Sequence, residues 1–304
     1  MISQTKQSKA FSTPDYTKLV NEKQIDQIQQ ISAFASSSYA GLNIADTLDF
    51  FTRRYVRQVF QFTDIDHNSI IADIGAGFGW LSMAFAFSTD AKLIAFDVDT
   101  NRIMAGKAIA EILGLQGRID WRSDIMNKLP LKDREVDIAY CIEVLEHTKK
   151  ETMLVQELCR ISKTFIILTT PNLWFPVIAH DTGLPFCHWL PVRYRKKYAH
   201  LLNRHQMEYD NLFWSPTTLL KQMKGFKPVS RWLHYKSLQH FKDTYPFYSP
   251  YGKGKYVKKP GFTKTLFYEI VSRLGMWSHY IVPSLSFVFQ RTESLPSHYK
   301  KQTV

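Results

Sequence analysis

Residues 70–80 (IIADIGAGFGW) constrain the fold of this chain more than any other segment. An apolar run leads into glycines at alternate positions, Gly75, Gly77 and Gly79, and a helical pattern follows. Glycine permits positive φ angles and lets the backbone approach another group closely. The segment therefore predicts a strand, a tight turn and the start of a helix, which is the repeating unit of sheets with parallel strands.

The same alternation of strand and helix continues to about residue 172. Short apolar runs predict strands at 69–74, 92–97, 118–121, 136–141 and 164–169, and helical spacing predicts helices at 80–87, 102–113 and 151–161. Two further strands are predicted at 226–234 and 284–291. This order predicts an α/β protein with a Rossmann-like, doubly wound sheet.

The rest of the chain is arranged around that sheet. We predict a loose N-terminus (1–20), a helical cap (21–67), a sheet domain (68–291) and a tail (292–304). Irregular stretches rich in proline, histidine and aromatic residues predict two insertions in the domain, at 172–215 and 235–283.

Charge divides the chain into two parts. The net charge is +12, with 19 basic and 21 acidic residues in 1–170 and 20 basic and 6 acidic residues in 171–304. The three cysteines, Cys141, Cys159 and Cys187, form no metal-binding spacing, so no metal site is predicted. The N-terminus has no secretory apolar core and no stretch has the length of a membrane span, so we expect a cytoplasmic protein.

Two acidic residues indicate which ligand the glycine turn binds. Trp80 stands where the dinucleotide fingerprint has its third glycine, and the phosphate-binding Walker sequence is absent. Asp73 precedes Gly75 by two residues, where a carboxylate repels a pyrophosphate but suits a cationic ligand. Asp97 closes the second strand, where an acid can accept hydrogen bonds from both hydroxyls of a ribose.

Together these residues resemble the class I S-adenosylmethionine-dependent methyltransferases. The segment RIDWRSDI (118–125) looks like the family's third strand and the acidic loop that follows it. The segments VDIAYCIEVLEH (136–147) and TFIILTTPN (164–172) are similar to the fourth and fifth strands of the type-11, ubiquinone-type O-methyltransferases. The resemblance implies a seven-stranded sheet with the last strand antiparallel, and S-adenosylmethionine as cofactor. It places these residues at the cofactor: Asp73, Gly75, Ala76, Gly77, Gly79, Asp97, Val98, Asp124, Ile125 and Cys141.

The absence of two sequence motifs limits which chemical groups could accept the methyl group. The Asn/Asp-Pro-Pro-Tyr turn that holds amino groups is replaced by residues 141–144 (CIEV), and no Pro-Cys nucleophile occurs. A hydroxyl, a carbon acid or a less typical amine remains. His180 with Asp181, or His147 at the end of the fourth strand, are the candidate catalytic residues, although histidines there can equally fix loops or pack.

The basic second half suggests a partner surface. Residues 251–277 combine lysines with an apolar helical stripe, which is typical of a helix on an anionic membrane; a helix packed on its own domain is the alternative. We therefore expect O-methylation of a small-molecule, glycan or lipid-linked acceptor, at the inner face of the membrane. An RNA methyltransferase and a non-catalytic cofactor-binding scaffold are the alternatives, with nucleic acid ranked below lipid, and the sequence leaves the oligomeric state open.

Overall fold

The computed structural model describes residues 11–124, 128–148, 151–178, 182–204, 211–230 and 261–292. Tertiary contacts divide these residues into two units. The first unit runs from the N-terminal helices through the third strand, and the second unit begins at Asp124.

The first unit contains three parallel strands. Strand β1 pairs with β2, and β2 pairs with β3, so that Asp97 at the end of β2 lies opposite Ser123 at the end of β3. The strand bounds are Ile70–Ile74 (β1), Lys92–Asp97 (β2) and Ile119–Ser123 (β3). Because parallel strands leave their carboxyl ends at one edge, the polar residues that follow β1 and β2 are neighbours.

Helices surround these strands. Helix α7 begins after Asp99, whose side chain accepts hydrogen bonds from the backbone N–H groups of Asn101 and Arg102, and α6 begins directly at the glycine turn. The helix bounds are Tyr16–Leu19 (α1), Glu22–Gln29 (α2), Ser32–Ala35 (α3), Ile44–Phe51 (α4), Arg57–Val59 (α5), Trp80–Ser88 (α6) and Thr100–Ile112 (α7), with a π-helical turn at Thr52–Val56.

The second unit contains the other four strands. Strand β4 is parallel to β5, whereas β7 runs antiparallel to both β5 and β6. The bounds are Val136–Ile142 (β4), Glu151–Ile161 (α8), Ser162–Pro171 (β5), Val192–Leu201 (α9), Pro216–Gln222 (α10), Phe226–Ser230 (β6), Phe262–Arg273 (α11) and Ser284–Arg291 (β7). Short 3-10 turns lie at Leu145–His147, Cys187–Trp189 and Gly275–Tyr280.

The described strands form a seven-stranded sheet in the order β3-β2-β1-β4-β5-β7-β6. The expectation of a Rossmann-like α/β sheet of seven strands with an antiparallel last strand is thereby confirmed. No helix among the described residues is both long and apolar enough to cross a membrane.

Some segments differ from the sequence predictions. Helix α1 lies within the stretch predicted to be loose, because Tyr16 is buried and its hydroxyl is 2.6 Å from Thr52 Oγ1. The helix predicted over 262–277 ends at Arg273, since glycine at position 275 disfavours its continuation. Helix α9 lies in an insertion predicted to be irregular. The boundaries of the cap, domain, insertions and tail stay predictions.

Candidate functional site

The turn after β1 is held against the neighbouring strand by its own backbone. Gly75, Gly77 and Gly79 have φ angles of +79°, +57° and +75°, in the left-handed region that favours glycine. The N–H groups of Gly75 and Ala76 both donate to the carbonyl oxygen of Phe96 in β2, each at 2.8 Å. The predicted strand, turn and helix therefore form a fixed loop at the carboxyl edge of the first unit.

Gly77 and Gly79 differ in what surrounds them. Both have a positive φ angle, but only Gly79 is also required by close packing. A Cβ atom on Gly77 would meet no other atom within 4 Å, so open space lies beside it. A Cβ on Gly79 would lie 2.3 Å from the indole of Trp121. The same indole would be 2.8 Å from a Cβ on Gly106 of α7. Trp121 thus packs between the start of α6 and the middle of α7, and the turn leaves open space on the side of Gly77.

Asp97 connects the turn to the end of β2. The carboxylate is buried; its Oδ2 accepts the N–H of Gly77 at 2.7 Å and its Oδ1 accepts the N–H of Asp99 at 2.9 Å. An ionised carboxylate offers about four acceptor positions, so about two remain on Asp97. These two can accept hydrogen bonds from a pair of neighbouring hydroxyls, such as those of a ribose.

Asp73 is a second buried carboxyl group behind the turn. Its Oδ2 accepts a hydrogen bond from the hydroxyl of Ser82 at 2.8 Å. Burial raises the pKa of Asp73 to about 7; the hydrogen bond from Ser82 opposes this shift and the nearby charge of Asp97 adds to it. A positively charged ligand would favour the ionised form, as expected from the sequence.

The remaining predicted cofactor residues are spread over both units. Val98 follows Asp97 and is 61% exposed, so an apolar side chain is available to a flat ring. Asp124 is half-buried and is the first residue of the second unit, while Cys141 is fully buried within β4. Ile125 lies outside the described residues, and the cofactor contacts of these four residues stay predictions.

The carboxyl edge of β4 and β5, in the second unit, is built from buried polar groups. Glu146 is buried and accepts the hydroxyl of Thr170 at 3.0 Å. Glu143 has a φ of +54° and accepts the hydroxyl of Ser284 at 3.3 Å. The amide of Asn172 donates to two backbone carbonyls in the segment before β7, at 2.7 and 2.8 Å. Ligands bind outside the carboxyl ends of parallel strands, so this edge is a candidate acceptor region.

The candidate proton acceptors differ in their surroundings. His147 is exposed in the 3-10 turn that follows β4. His180 and Asp181 lie outside the described residues. His188, a further histidine of the same insertion, is buried, its Nε2 lies 3.0 Å from the carbonyl oxygen of Leu173, and burial lowers its pKa. We therefore assign His188 to packing rather than to catalysis.

Sequence reasoning missed several residues of these regions. The sequence predicts Trp121 and Ser82 only as parts of a strand and a helix, and neither carries a local signal of its contact with Gly79 or Asp73. Asn172 directly follows an apolar strand and could have been noticed as a polar residue at the carboxyl edge.

Comparison with known proteins adds a family match to these observations. Residues 71–164, from β1 into β5, match the family model described as a methyltransferase domain. No curated protein matches the chain.

Two solved structures are similar in fold. A S-adenosylmethionine-dependent methyltransferase from Aquifex aeolicus is 18% identical, with a TM-score of 0.36, over 40% of this chain and 66% of that chain. Geranyl diphosphate C-methyltransferase from Streptomyces coelicolor A3(2), solved with Mg²⁺, geranyl diphosphate and S-adenosyl-L-homocysteine, is 13% identical, with a TM-score of 0.42, over 77% and 75%. At these values neither likeness informs the acceptor of this chain.

The observed residues fit S-adenosylmethionine. Asp97 keeps acceptor positions for the two ribose hydroxyls, Asp73 suits the positive charge of the methionine part, and the turn is open beside Gly77. When bound, this cofactor supplies a methyl group on a sulfonium sulfur. Sheet order, glycine turn, paired carboxyl groups and family match agree, and the chain therefore carries a class I S-adenosylmethionine-dependent methyltransferase domain.

Proposed function

We propose that the chain methylates a hydroxyl group of a small-molecule, glycan or lipid-linked acceptor. The observation that carries the proposal is the turn after β4. Two carboxylates, Glu143 and Glu146, each accept a hydrogen bond from a hydroxyl side chain, and the exposed His147 follows directly. In this turn the half-buried Glu143 can accept a hydrogen bond from a substrate hydroxyl, the buried Glu146 helps to fix the local structure, and His147 is a nearby base.

The reaction sets two requirements for the protein. Methyl transfer is an in-line displacement, so most of the rate enhancement comes from holding the acceptor oxygen in line with the methyl group. A hydroxyl must also lose its proton, and histidine is the side chain best suited to accept it near neutral pH. We assign this role to His147, with the predicted pair His180 and Asp181 as the second candidate.

Exposed apolar side chains support a lipid-linked acceptor. The helical stripe predicted to contact a membrane is described from residue 262 onward, and its members Phe262, Leu266, Ile270 and Leu274 are exposed while Val271 is buried. An amphipathic helix that keeps apolar side chains in solvent is suited to an apolar partner. The part of the predicted membrane segment at 251–260 lies outside the described residues.

RNA methylation is the second candidate function. It is favoured by exposed cations beside aromatic residues in α9, such as Arg193 and Lys197 next to Tyr194. Such a surface can contact phosphates and stack on bases. The two candidates therefore differ in the fraction of cell material that accepts the methyl group.

The experiment supplies methyl-labelled S-adenosylmethionine and purified protein to an extract of cells that lack the gene. The products are separated into lipid, small-molecule, RNA and protein fractions, and labelled products are treated with mild base, which releases methyl esters as methanol but leaves methyl ethers intact. Base-stable label in lipids or small molecules, without methylated nitrogen or carbon on mass-spectrometric fragmentation, supports the proposal.

Other outcomes contradict it. Label in RNA would favour the second candidate, and label on nitrogen or carbon would refute hydroxyl methylation. Asp97→Asn serves as the variant of the cofactor site, with Asp120→Asn as its control, because Asp120 is exposed and pairs with Arg122. If the protein binds the cofactor but labels no fraction, the chain acts as a non-catalytic cofactor-binding protein.

A further inference from the structure

Helix α9 presents cations to solvent. Arg193, Lys196 and Lys197 are exposed, and only Ala199 of this helix is buried. Residues 182–204 contain no aspartate or glutamate. At 100° per residue the three cations fall within an arc of about 100° on one side of the helix, and Ala199 lies outside this arc. The helix therefore carries a face rich in exposed cations.

Apolar side chains border this cationic face. Leu201 is 77% exposed, Trp189 is 50% exposed and Tyr194 is 44% exposed. Phe186 is also exposed, packs against Trp189 with ring centroids 4.9 Å apart, and has a φ of +59°. Large side chains kept in solvent, one of them on a strained backbone, are unusual unless another molecule covers them.

The 3-10 turn Cys187–Trp189, with Phe186 before it, is held against helix α9. The guanidinium of Arg195 donates to the carbonyl oxygens of His188 and Leu190, both at 2.6 Å. Cys187 and Ala199 are packed in one buried cluster beneath them. The aromatic turn is therefore fixed beside α9, and its rings belong to the same surface as the cations.

We infer that this surface, formed by Arg193, Lys196, Lys197, Trp189, Tyr194 and Leu201, docks on an anionic lipid bilayer. The cations attract lipid phosphates, and Trp and Tyr are the residues that favour the interface between headgroups and acyl chains. Aliphatic side chains such as Leu201 can enter the acyl region but cannot stack on a nucleic-acid base. The surface therefore suits a membrane better than RNA. The inference does not depend on which acceptor is methylated.

The test measures sedimentation of the full chain with vesicles of phosphatidylcholine containing phosphatidylglycerol, and with vesicles of phosphatidylcholine alone, in the absence of S-adenosylmethionine. We expect binding to the anionic vesicles only, and loss of binding as salt rises. Replacing the three cations (R193Q/K196Q/K197Q) should lower the partition coefficient about five-fold per cation, on the order of 100-fold in total. These side chains are exposed, so their replacement leaves the core unchanged.

Matched control variants distinguish binding by this surface from effects of the protein's net charge and of exposed apolar side chains elsewhere. The variant K23Q/K92Q/K107Q loses the same charge from exposed lysines of the first unit and should bind like the parent. Leu201→Asn should weaken binding about tenfold. Met104→Asn, at a 61% exposed position in α7, should leave binding unchanged.

Three results would overturn the inference. The first is no sedimentation with anionic vesicles, and the second is an equal loss in the two triple variants. The third is a loss of tRNA binding or of self-association in R193Q/K196Q/K197Q while its vesicle binding is unchanged, which would assign the surface to RNA or to a second copy of the chain. None of these results bears on the hydroxyl acceptor, which the labelling experiment tests separately.

Discussion

The buried carboxyl group of Asp73 should make cofactor binding depend on pH. In the unliganded protein its pKa is about 7, chiefly because burial disfavours the charged form. A ligand with an ammonium and a sulfonium group favours the ionised form. Binding then requires Asp73 to lose its proton at low pH, and the affinity for S-adenosylmethionine should fall as the pH is lowered through 7.

The size of the effect follows from the pKa. If only the ionised form binds, the apparent Kd is proportional to 1 + 10^(7 − pH). Between about pH 7.5 and about pH 5.5 this factor rises from about 1.3 to about 33, a loss of about 25-fold in affinity or about 1.9 kcal/mol.

Isothermal titration calorimetry in buffers of different ionisation enthalpy measures both the Kd and the protons released. We expect Asp73 to release about one proton per cofactor bound well below pH 7 and about a quarter of a proton at pH 7.5. Asp73→Asn should bind more weakly at pH 7.5 and lose the pH dependence. Asp46→Asn is the control, because burial raises the pKa of Asp46 in α4 as well, but Asp46 is not among the predicted cofactor residues. A parent Kd that is flat across this range, or a slope that survives in Asp73→Asn, would refute the reasoning.

Three further predictions concern stability. The pKa of Asp73 is higher in the folded than in the unfolded protein, so the unliganded protein should lose stability as pH rises from about 4 to 7. Asp73→Asn should therefore raise the free energy of unfolding at pH 8 by up to about 4 kcal/mol. An unchanged midpoint of urea unfolding would contradict this. Gly79→Ala should cost about 1–3 kcal/mol more than Gly77→Ala in urea unfolding, because only its Cβ meets Trp121; equal costs would argue against that packing. Asn172→Ala should cost about 2–5 kcal/mol, since two backbone carbonyls lose their donor, and a loss below about 0.5 kcal/mol would show that they are solvated.

Local pattern was sufficient for most of the sheet. Strands β2 and β7 and helix α8 have the bounds predicted from the sequence, because each is a periodic apolar run between clear turn residues. The predicted strand at 226–234 is described only to Ser230. The π-helical turn at Thr52–Val56 was not predicted, since a change of helix register leaves no local signal in an apolar segment.

The helix at 262–273 shows where periodicity stops being informative. The sequence predicts a stripe that includes Leu266, Ile270 and Val271, but periodicity gives only the angle between side chains. The structure buries Val271 and leaves Leu266 and Ile270 exposed, so only one edge of the stripe is covered. Which edge is buried depends on residues far away in the chain.

The glycine turn and its acids could be read from the sequence alone, because their chemistry depends on spacing along one strand, one turn and one helix. That spacing indicated a cationic ligand with a ribose near Asp73 and Asp97, the alternation of strands and helices predicted the fold class, and the resemblance to class I methyltransferases implied the cofactor. Only the tertiary structure decided the raised pKa of Asp73, the packing of Trp121 against Gly79 and the exposure of the cations of α9. Burial and long-range contact set these properties, since each depends on what the rest of the chain places around a side chain.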